Sequence, residues 1–229
     1  MFYWLVMPAA GIGRRFGGQF PKQHALLGTG TVLEAALRPF IADDRCRGIV
    51  LALAVDDARR ESLAQRLPAR VRIVTGGEQR SESVLRGLRA LEGEAQAADW
   101  VLVHDAVRPC LSTADLERLL AAAGDAADGA LLAAPVTDTI KQQDAMGHSC
   151  NTVTREGLWR ALTPQMFGYA QLREALQRAR AAQLEPTDEA QAIEWAGGRP
   201  LLVAASDSNI KITTAEDLLV AAAILGARR

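Results

Sequence analysis

Cysteine is scarce. Cys46, Cys110 and Cys150 stand far apart with no C-x-x-C pair, which excludes a disulfide or zinc framework. Histidine is equally rare: His24, His104 and His148 have no i,i+4 partner, so spacing spells no zinc site. Neither sign of charge is in excess, since 26 basic side chains balance 27 acidic ones for a formal charge of -1, and a basic nucleic-acid module is excluded. Apolar runs long enough for a bilayer are also missing. Segments 1–7 and 218–226 fall well short of the roughly 20 residues that a spanning helix needs. No cation precedes the first of them, and Arg14-Arg15 follows it, where a twin-arginine signal would come before. The first run is therefore expected to be a buried strand, no membrane association is expected, and the protein is expected in the cytoplasm. Internal repeats and low-complexity linkers are absent.

The 229 residues, 49% hydrophobic and 23% charged, suffice for a sizeable core. A single domain over residues 1–229 is expected, with no further enzyme domain after it. Near-continuous apolar runs at 3–7, 48–54, 71–75, 100–104 and 130–134 read as parallel strands covered on both faces. Helical patterns separate them. Val84, Leu85, Leu88 and Leu91 share one face, with Glu82, Arg86 and Arg89 elsewhere. A second helix is capped by Ser112 or Thr113 and turns Leu116, Leu119 and Leu120 inward. Such alternation predicts an α/β fold, a mostly parallel sheet flanked by helices through right-handed crossovers. From 137 to 154 the pattern lapses into polar residues, which predicts either a loop or a protruding hairpin. Beyond it, 172–182 is helical, Thr187-Asp188-Glu189 opens another helix, and Thr214 caps the last one.

The first strand runs into Pro8-Ala9-Ala10-Gly11-Ile12-Gly13-Arg14-Arg15, with Pro21-Lys22-Gln23 beyond. Small residues at a strand's carboxyl end let backbone approach a ligand, and free N–H groups there favour phosphate. The spelling is not that of a dinucleotide fold, because Phe16 holds the place of the third glycine and Thr31 that of the ribose acid. Nor is it a P-loop, since Gln19-Phe20 replaces the required Lys-Ser or Lys-Thr. What marks the loop is its pair of following cations, Arg15 and Lys22, suited to the charge of a polyphosphate. At the end of the fourth strand stands Asp105, placed to hold Mg²⁺ or another divalent cation shared with substrate phosphates. No G-x-S-x-G elbow supports a serine hydrolase.

Taken together these segments resemble the 2-C-methyl-D-erythritol 4-phosphate cytidylyltransferases. The likeness spans nearly the whole chain. It rests on Pro8-Ala9-Ala10-Gly11, Gly13-Arg14-Arg15, Pro21-Lys22-Gln23, Gly76-Gly77 with Ser83-Val84, Val103-His104-Asp105-Ala106 with Arg108-Pro109, Ala134-Pro135-Val136 with Asp138-Thr139, Leu162-Thr163-Pro164-Gln165, Thr187-Asp188-Glu189-Ala190 and Asn209-Ile210-Lys211. The resemblance implies a Rossmann-like nucleotidyltransferase fold and the reaction of CTP with methylerythritol phosphate, releasing pyrophosphate, with Mg²⁺ in a homodimer. By it, Arg15 and Lys22 stabilise the transition state, and Ala9, Ala10, Gly11, Gly13, Gly77, Glu78, Ser83 and Ala106 line the CTP site, Glu78 through its backbone. Arg108, Thr139, Arg155, Thr163, Thr187 and Lys211 hold the sugar phosphate, with Arg155 and Lys211 among the catalytic cations. Asp105 is the metal ligand. Thr139 and Arg155 come from the neighbouring subunit, which makes 137–154 a dimerisation arm.

The chemistry agrees with this inventory. A phosphate monoester is largely dianionic at neutral pH, so the nucleophile needs no general base, only cations and positioning. Two departures from the family pattern stand out. Ser208 occupies a place usually held by aspartate, so either Asp207 substitutes or Asp105 and the triphosphate suffice, the second being favoured. His24 stands where tyrosine is common. The rival functions are a ribitol 5-phosphate cytidylyltransferase and a catalytically weak nucleotide-binding protein.

Overall fold

The computed structural model describes residues 1–11 and 21–228. Seven strands form the main sheet: β1 (Tyr3–Ala9), β4 (Cys46–Leu53), β5 (Val71–Thr75), β6 (Trp100–Val103), β7 (Ala130–Pro135), β10 (Trp159–Gly168) and β11 (Leu201–Ala204). Two short ribbons stand apart, β2 (Leu26–Leu27) with β3 (Gly30–Thr31), and β8 (Ile140–Gln143) with β9 (Ser149–Val153). The sheet order is β11-β7-β10-β6-β1-β4-β5. All neighbours are parallel except β10, which runs antiparallel to both β6 and β7.

Alternation along β1 divides the core into two layers. Leu5 and Met7 face one side, with Leu33, Leu37 and Phe40 of α1 (Val32–Ile41) and Leu116 and Leu119 of α4 (Thr113–Ala123). Trp4 and Val6 face the other, with Val84, Leu85 and Leu88 of α3 (Arg80–Arg89), Leu172 and Leu176 of α5 (Tyr169–Ala181) and Ile193 of α6 (Glu189–Trp195). Each such buried side chain contributes on the order of 1.5–3 kcal/mol of transfer free energy. Gly87 lets α3 lie close on β1: a Cβ there would sit 2.4 Å from Val6 Cγ1. The remaining helices are α2 (Arg60–Arg66), whose Leu63 joins the first layer, and α7 (Ala215–Gly226).

The helix starts follow their sequence signals. Thr31 and Glu34 form a capping box on α1, and Ser112 Oγ accepts from the Asp115 N–H on α4. Asp188 accepts from the Gln191 N–H on α6, and Thr214 with Asp217 boxes α7. The polar stretch after β7 is a hairpin, β8 paired with β9, mostly exposed.

Sequence periodicity does not announce β10. Its central residues include Thr163, Pro164 and Gln165, yet 162–167 is buried throughout. Its ladder with β7 is broken, since Ala161 pairs with Ala133 and Gln165 with Leu131, leaving Leu162, Thr163 and Pro164 opposite Leu132 alone. An irregularity of this kind re-aims side chains, and here it takes Thr163 out of the ladder.

Candidate active site

The chain winds outward from β1 through β4 to β5, then returns to place β6 on the other side of β1. Open α/β sheets bind ligands at the carboxyl ends of strands flanking such a reversal. A cleft of about 160 Å³ lies there. Ala9, Ala10 and Gly11 from the end of β1, and Asp105 and Ala106 after β6, form two of its walls. Gly77, Glu78, Arg80 and Ser83 at the start of α3 form another, and Lys22 and Lys211 reach in from two further segments.

The loop before α3 is held by the helix itself. The Gly77 N–H donates to Ser83 Oγ at 3.0 Å, and the Glu78 N–H to Glu82 Oε2 at 3.2 Å. Arg86 ties Glu82 to the Gly76 carbonyl, with bonds of 2.7 and 2.8 Å. Opposite, a Cβ on Gly11 would meet no described atom within 4 Å. The described protein does not itself demand glycine at that position; it leaves room beside the backbone for a ligand.

Asp105 is the electrostatic centre. Arg80 donates to Oδ1 from Nε at 3.0 Å, Lys211 Nζ lies 3.0 Å from Oδ2, and Arg108 Nε is 3.5 Å from the same oxygen. Burial alone would raise the carboxyl's pKa, but Arg80, Lys211 and Arg108 together hold it well below the usual carboxylate range. Arg80 is anchored in turn by Glu189, which is 1% exposed, through bonds of 2.6 and 3.0 Å. Arg108 donates to the Asn209 carbonyl at 2.8 Å, while its Nε and the Asn209 Oδ1 are buried with no hydrogen bond among the described residues. Burial lowers the Arg108 pKa. That Nε faces the Asp105 carboxylate at 3.5 Å, so the anion this buried cation meets is Asp105 itself.

Behind Asp105 lies a closed network. The Asp105 N–H donates to Thr163 Oγ1 at 3.1 Å. Thr163 donates to His104 Nδ1 at 2.9 Å, and His104 Nε2–H donates to the Arg108 carbonyl at 3.0 Å. The carbonyl fixes this tautomer because it can only accept. His104 is fully buried and neutral; burial lowers its pKa from 6.5 to about 4.

The sequence-derived residues therefore fall into groups. Ala9, Ala10, Gly11, Lys22, Gly77, Glu78, Ser83, Asp105, Ala106 and Lys211 line the cleft. Arg108 sits beside Asp105, and Thr163 lies behind it with its hydroxyl engaged. Thr187 is exposed ahead of α6, its N–H donating to Gln191 Oε1 at 2.8 Å. Thr139 and Arg155 are exposed at the base of the hairpin, Arg155 donating to the Thr137 carbonyl, and neither lines the cleft. Gly13 and Arg15 lie outside the described residues. Asp207 pairs with Arg160, while the Ser208 hydroxyl accepts from Arg228 at 2.6 Å and bonds to Ser206 at 2.7 Å. Sequence reading missed Arg80 and the structural part played by Glu189, two residues joined only by the fold.

Among the described residues no three His, Cys, Asp or Glu side chains gather into a metal cage. Asp105 still suits one ion type. An ionised carboxylate in a phosphate-sized cleft is the donor that Mg²⁺ takes when it stays largely hydrated and shares its ligands with substrate. Oδ2 accepts from Lys211 and lies at a longer 3.5 Å from Arg108 Nε, so it retains capacity for another bond.

An α/β fold with a cation-lined cleft at the topological switch point agrees with the nucleotidyltransferase class to which the family match assigns the chain. The family model described as 2-C-methyl-D-erythritol 4-phosphate cytidylyltransferase matches residues 3–227, and the chain belongs to that family. A relative bearing that name from Halorhodospira halophila is 49% identical, over 99% of this chain and 95% of its own length. Another from Acidithiobacillus ferrooxidans is 48% identical, covering 98% and 97%. The crystal structure of a 4-diphosphocytidyl-2C-methyl-D-erythritol synthase superposes with a TM-score of 0.85 at 37% identity, covering 98% of each chain. That of the Thermus thermophilus cytidylyltransferase gives 0.80 at 32% identity over 100% of each.

Proposed function

We propose that this cleft transfers CMP from CTP to 2-C-methyl-D-erythritol 4-phosphate, releasing pyrophosphate. The observation that carries the reading is the convergence of Arg80, Arg108 and Lys211 on one ionised carboxylate, with Lys22 lining the same cleft at the switch point. Ala9, Ala10, Gly11, Gly77, Ser83 and Ala106 present backbone and small side chains to the nucleotide, with Gly13 and Glu78 in the adjoining stretches. Lys22, with Arg15 from the neighbouring segment, draws charge from the α-phosphate and the departing pyrophosphate.

On the other side, Arg108 and Lys211 offer cations to the sugar phosphate. Thr163 orients them through Asp105, and Thr187, exposed ahead of α6, is assigned to the same acceptor. The phosphate monoester, with a second pKa near 6, attacks as the dianion, so no side chain must remove a proton. The residues then need only bring two anions into line, and fixed geometry supplies much of the rate. Mg²⁺ would be held by Asp105 and the triphosphate, where it offsets phosphate charge. Thr139 and Arg155, exposed at the hairpin base, suit a contribution to a second subunit's cleft, which makes the working form a homodimer. The enzyme is read as cytoplasmic; no helix among the described residues is long and apolar enough to cross a membrane.

The test is pyrophosphate release by purified protein with CTP and Mg²⁺, comparing methylerythritol 4-phosphate with ribitol 5-phosphate. Release with the first alone supports the assignment. Release with ribitol phosphate moves the chain to the rival activity, and release with neither supports a weak nucleotide binder.

A further inference from the structure

The turn that presents Lys22 is pinned to the end of β1 and to the segment after β4. Lys22–His24 forms a single 3-10 turn with no side-chain cap of its own. Gln23, 3% exposed, donates Nε2–H to the Ala9 carbonyl at 2.8 Å and so ties the turn to the end of β1. His24 is 4% exposed, and its Nε2 lies 2.7 Å from Asp57 Oδ2. Asp57 belongs to the segment between β4 and α2, where its other oxygen accepts from the Arg59 N–H at 2.9 Å. Arg59 returns to the turn, its guanidinium donating to the His24 carbonyl at 3.0 Å. His24 and Asp57 thus close a ring of contacts between the Lys22 turn and the main sheet.

Among the described residues the imidazole makes no other hydrogen bond. Its Nδ1 is buried without a hydrogen-bond partner among the described residues. Because a carboxylate only accepts, Nε2 carries a hydrogen toward Asp57, and Nδ1 is left without a described partner. A buried ring that gives up one of its two polar contacts is an expensive way to fill space, and an apolar side chain would fill the same volume without stranding a nitrogen. What the ring provides is a directional bond from the turn to a fixed carboxylate, two residues from the ammonium in the cleft.

We propose that His24, acting through Asp57, is a positioning residue for Lys22. This rests on the reading of Lys22 as a cation of the transfer reaction. A group that acts on the transition state is sensitive to displacement of about 1 Å, which can cost on the order of 100-fold in rate. Loss of the His24 bond therefore acts on kcat more than on the binding of CTP.

The experiment measures kcat and KM for CTP by pyrophosphate release, together with thermal unfolding, for His24→Leu, His24→Gln, Asp57→Ala, Lys22→Met and the double variant Lys22→Met/His24→Leu. His24→Leu and Asp57→Ala are each expected to lower kcat by roughly 10- to 100-fold and to leave the KM for CTP within about threefold. His24→Gln keeps an Nε2–H donor and is expected to recover most of the loss. The double variant is expected to be no slower than Lys22→Met, because once the ammonium is gone its placement no longer matters.

Wild-type kcat in folded His24→Leu, with Lys22→Met crippled, overturns the inference and leaves the role of Lys22 standing. So does a His24→Leu loss that multiplies fully onto that of Lys22→Met. Lys22→Met running at the wild-type rate overturns both readings together. Where His24→Leu does not fold, Asp57→Ala carries the same comparison, alone and combined with Lys22→Met.

Discussion

Arg80 and Glu189, 109 residues apart in sequence, meet in two hydrogen bonds of 2.6 and 3.0 Å. The same guanidinium lies 2.9 Å from Asp105. Burial raises the Glu189 pKa even against the attraction of Arg80, so the carboxylate depends on its cation. Arg80→Leu strands the buried Glu189 carboxylate, while Asp105 keeps Lys211 and Arg108, and is expected to cost about 3–5 kcal/mol. Replacing both partners, Arg80→Leu with Glu189→Leu, is expected to cost less than the single change. Urea unfolding near neutral pH measures both, and a double variant less stable than Arg80→Leu would contradict the account.

His104 gives the protein an acid sensitivity of definite sign. Its folded pKa, about 4, lies below its ordinary 6.5. The folded state therefore resists protonation while the unfolded state accepts it. The stability contributed is complete above pH 6.5 and is lost as pH falls through about 4. That interval corresponds to about 3 kcal/mol. In metal-free buffer, the wild type is expected to lose this much more stability than His104→Gln between pH 7 and pH 4. Parallel pH profiles for the two proteins would refute the assignment.

Lys211 and Lys22 approach the cleft from separate segments, and each is expected to matter to the rate. Lys22→Met and Lys211→Met should each lower kcat by about 100- to 1,000-fold, the range for losing one preorganised charge contact to a transition state. Pyrophosphate release under saturating CTP and acceptor checks this. A rise in KM alone, with kcat intact, would place the lysine in ground-state binding.

Two glycines should behave oppositely. At Gly87 an added methyl would come within 2.4 Å of Val6 Cγ1, so Gly87→Ala must push α3 off the sheet and cost about 1–3 kcal/mol. At Gly11 nothing described lies within 4 Å. Gly11→Val is therefore expected to leave the melting temperature unchanged while weakening CTP binding at least 10-fold, read by calorimetric titration. Equal stability losses at the two sites would show that Gly11 serves packing.

What the sequence made legible follows from how local the information is. The strands at 3–7 and 71–75 and the caps at Ser112 and Thr214 rest on apolar runs or on contacts three residues apart, and they stand as read. β10 was not legible. Its buried Gln165 is satisfied by the Asp188 carboxylate and the Ala190 N–H, and Thr163 by His104 and Asp105, all distant in sequence. Polar residues of that kind look like loop until their partners are in place. The same reason hid Arg80: within 76–83 it reads as one more solvated charge, and only the return of α6 to the sheet gives it Glu189. Asp105, Lys22 and Lys211 could be singled out because their motifs are contiguous.

The hairpin and the floor of the cleft are made from one length of backbone. Trp159 and Arg160 continue from the hairpin into the ladder with Pro135 and Ala134, and a few residues later Thr163 grips Asp105 and Gln165 pairs with Val103. One strand thus carries both the end that continues from the hairpin and the threonine that holds Asp105, on either side of the break in its ladder with β7. Shortening the hairpin is therefore expected to disturb the seat of Asp105 as well as the outer surface.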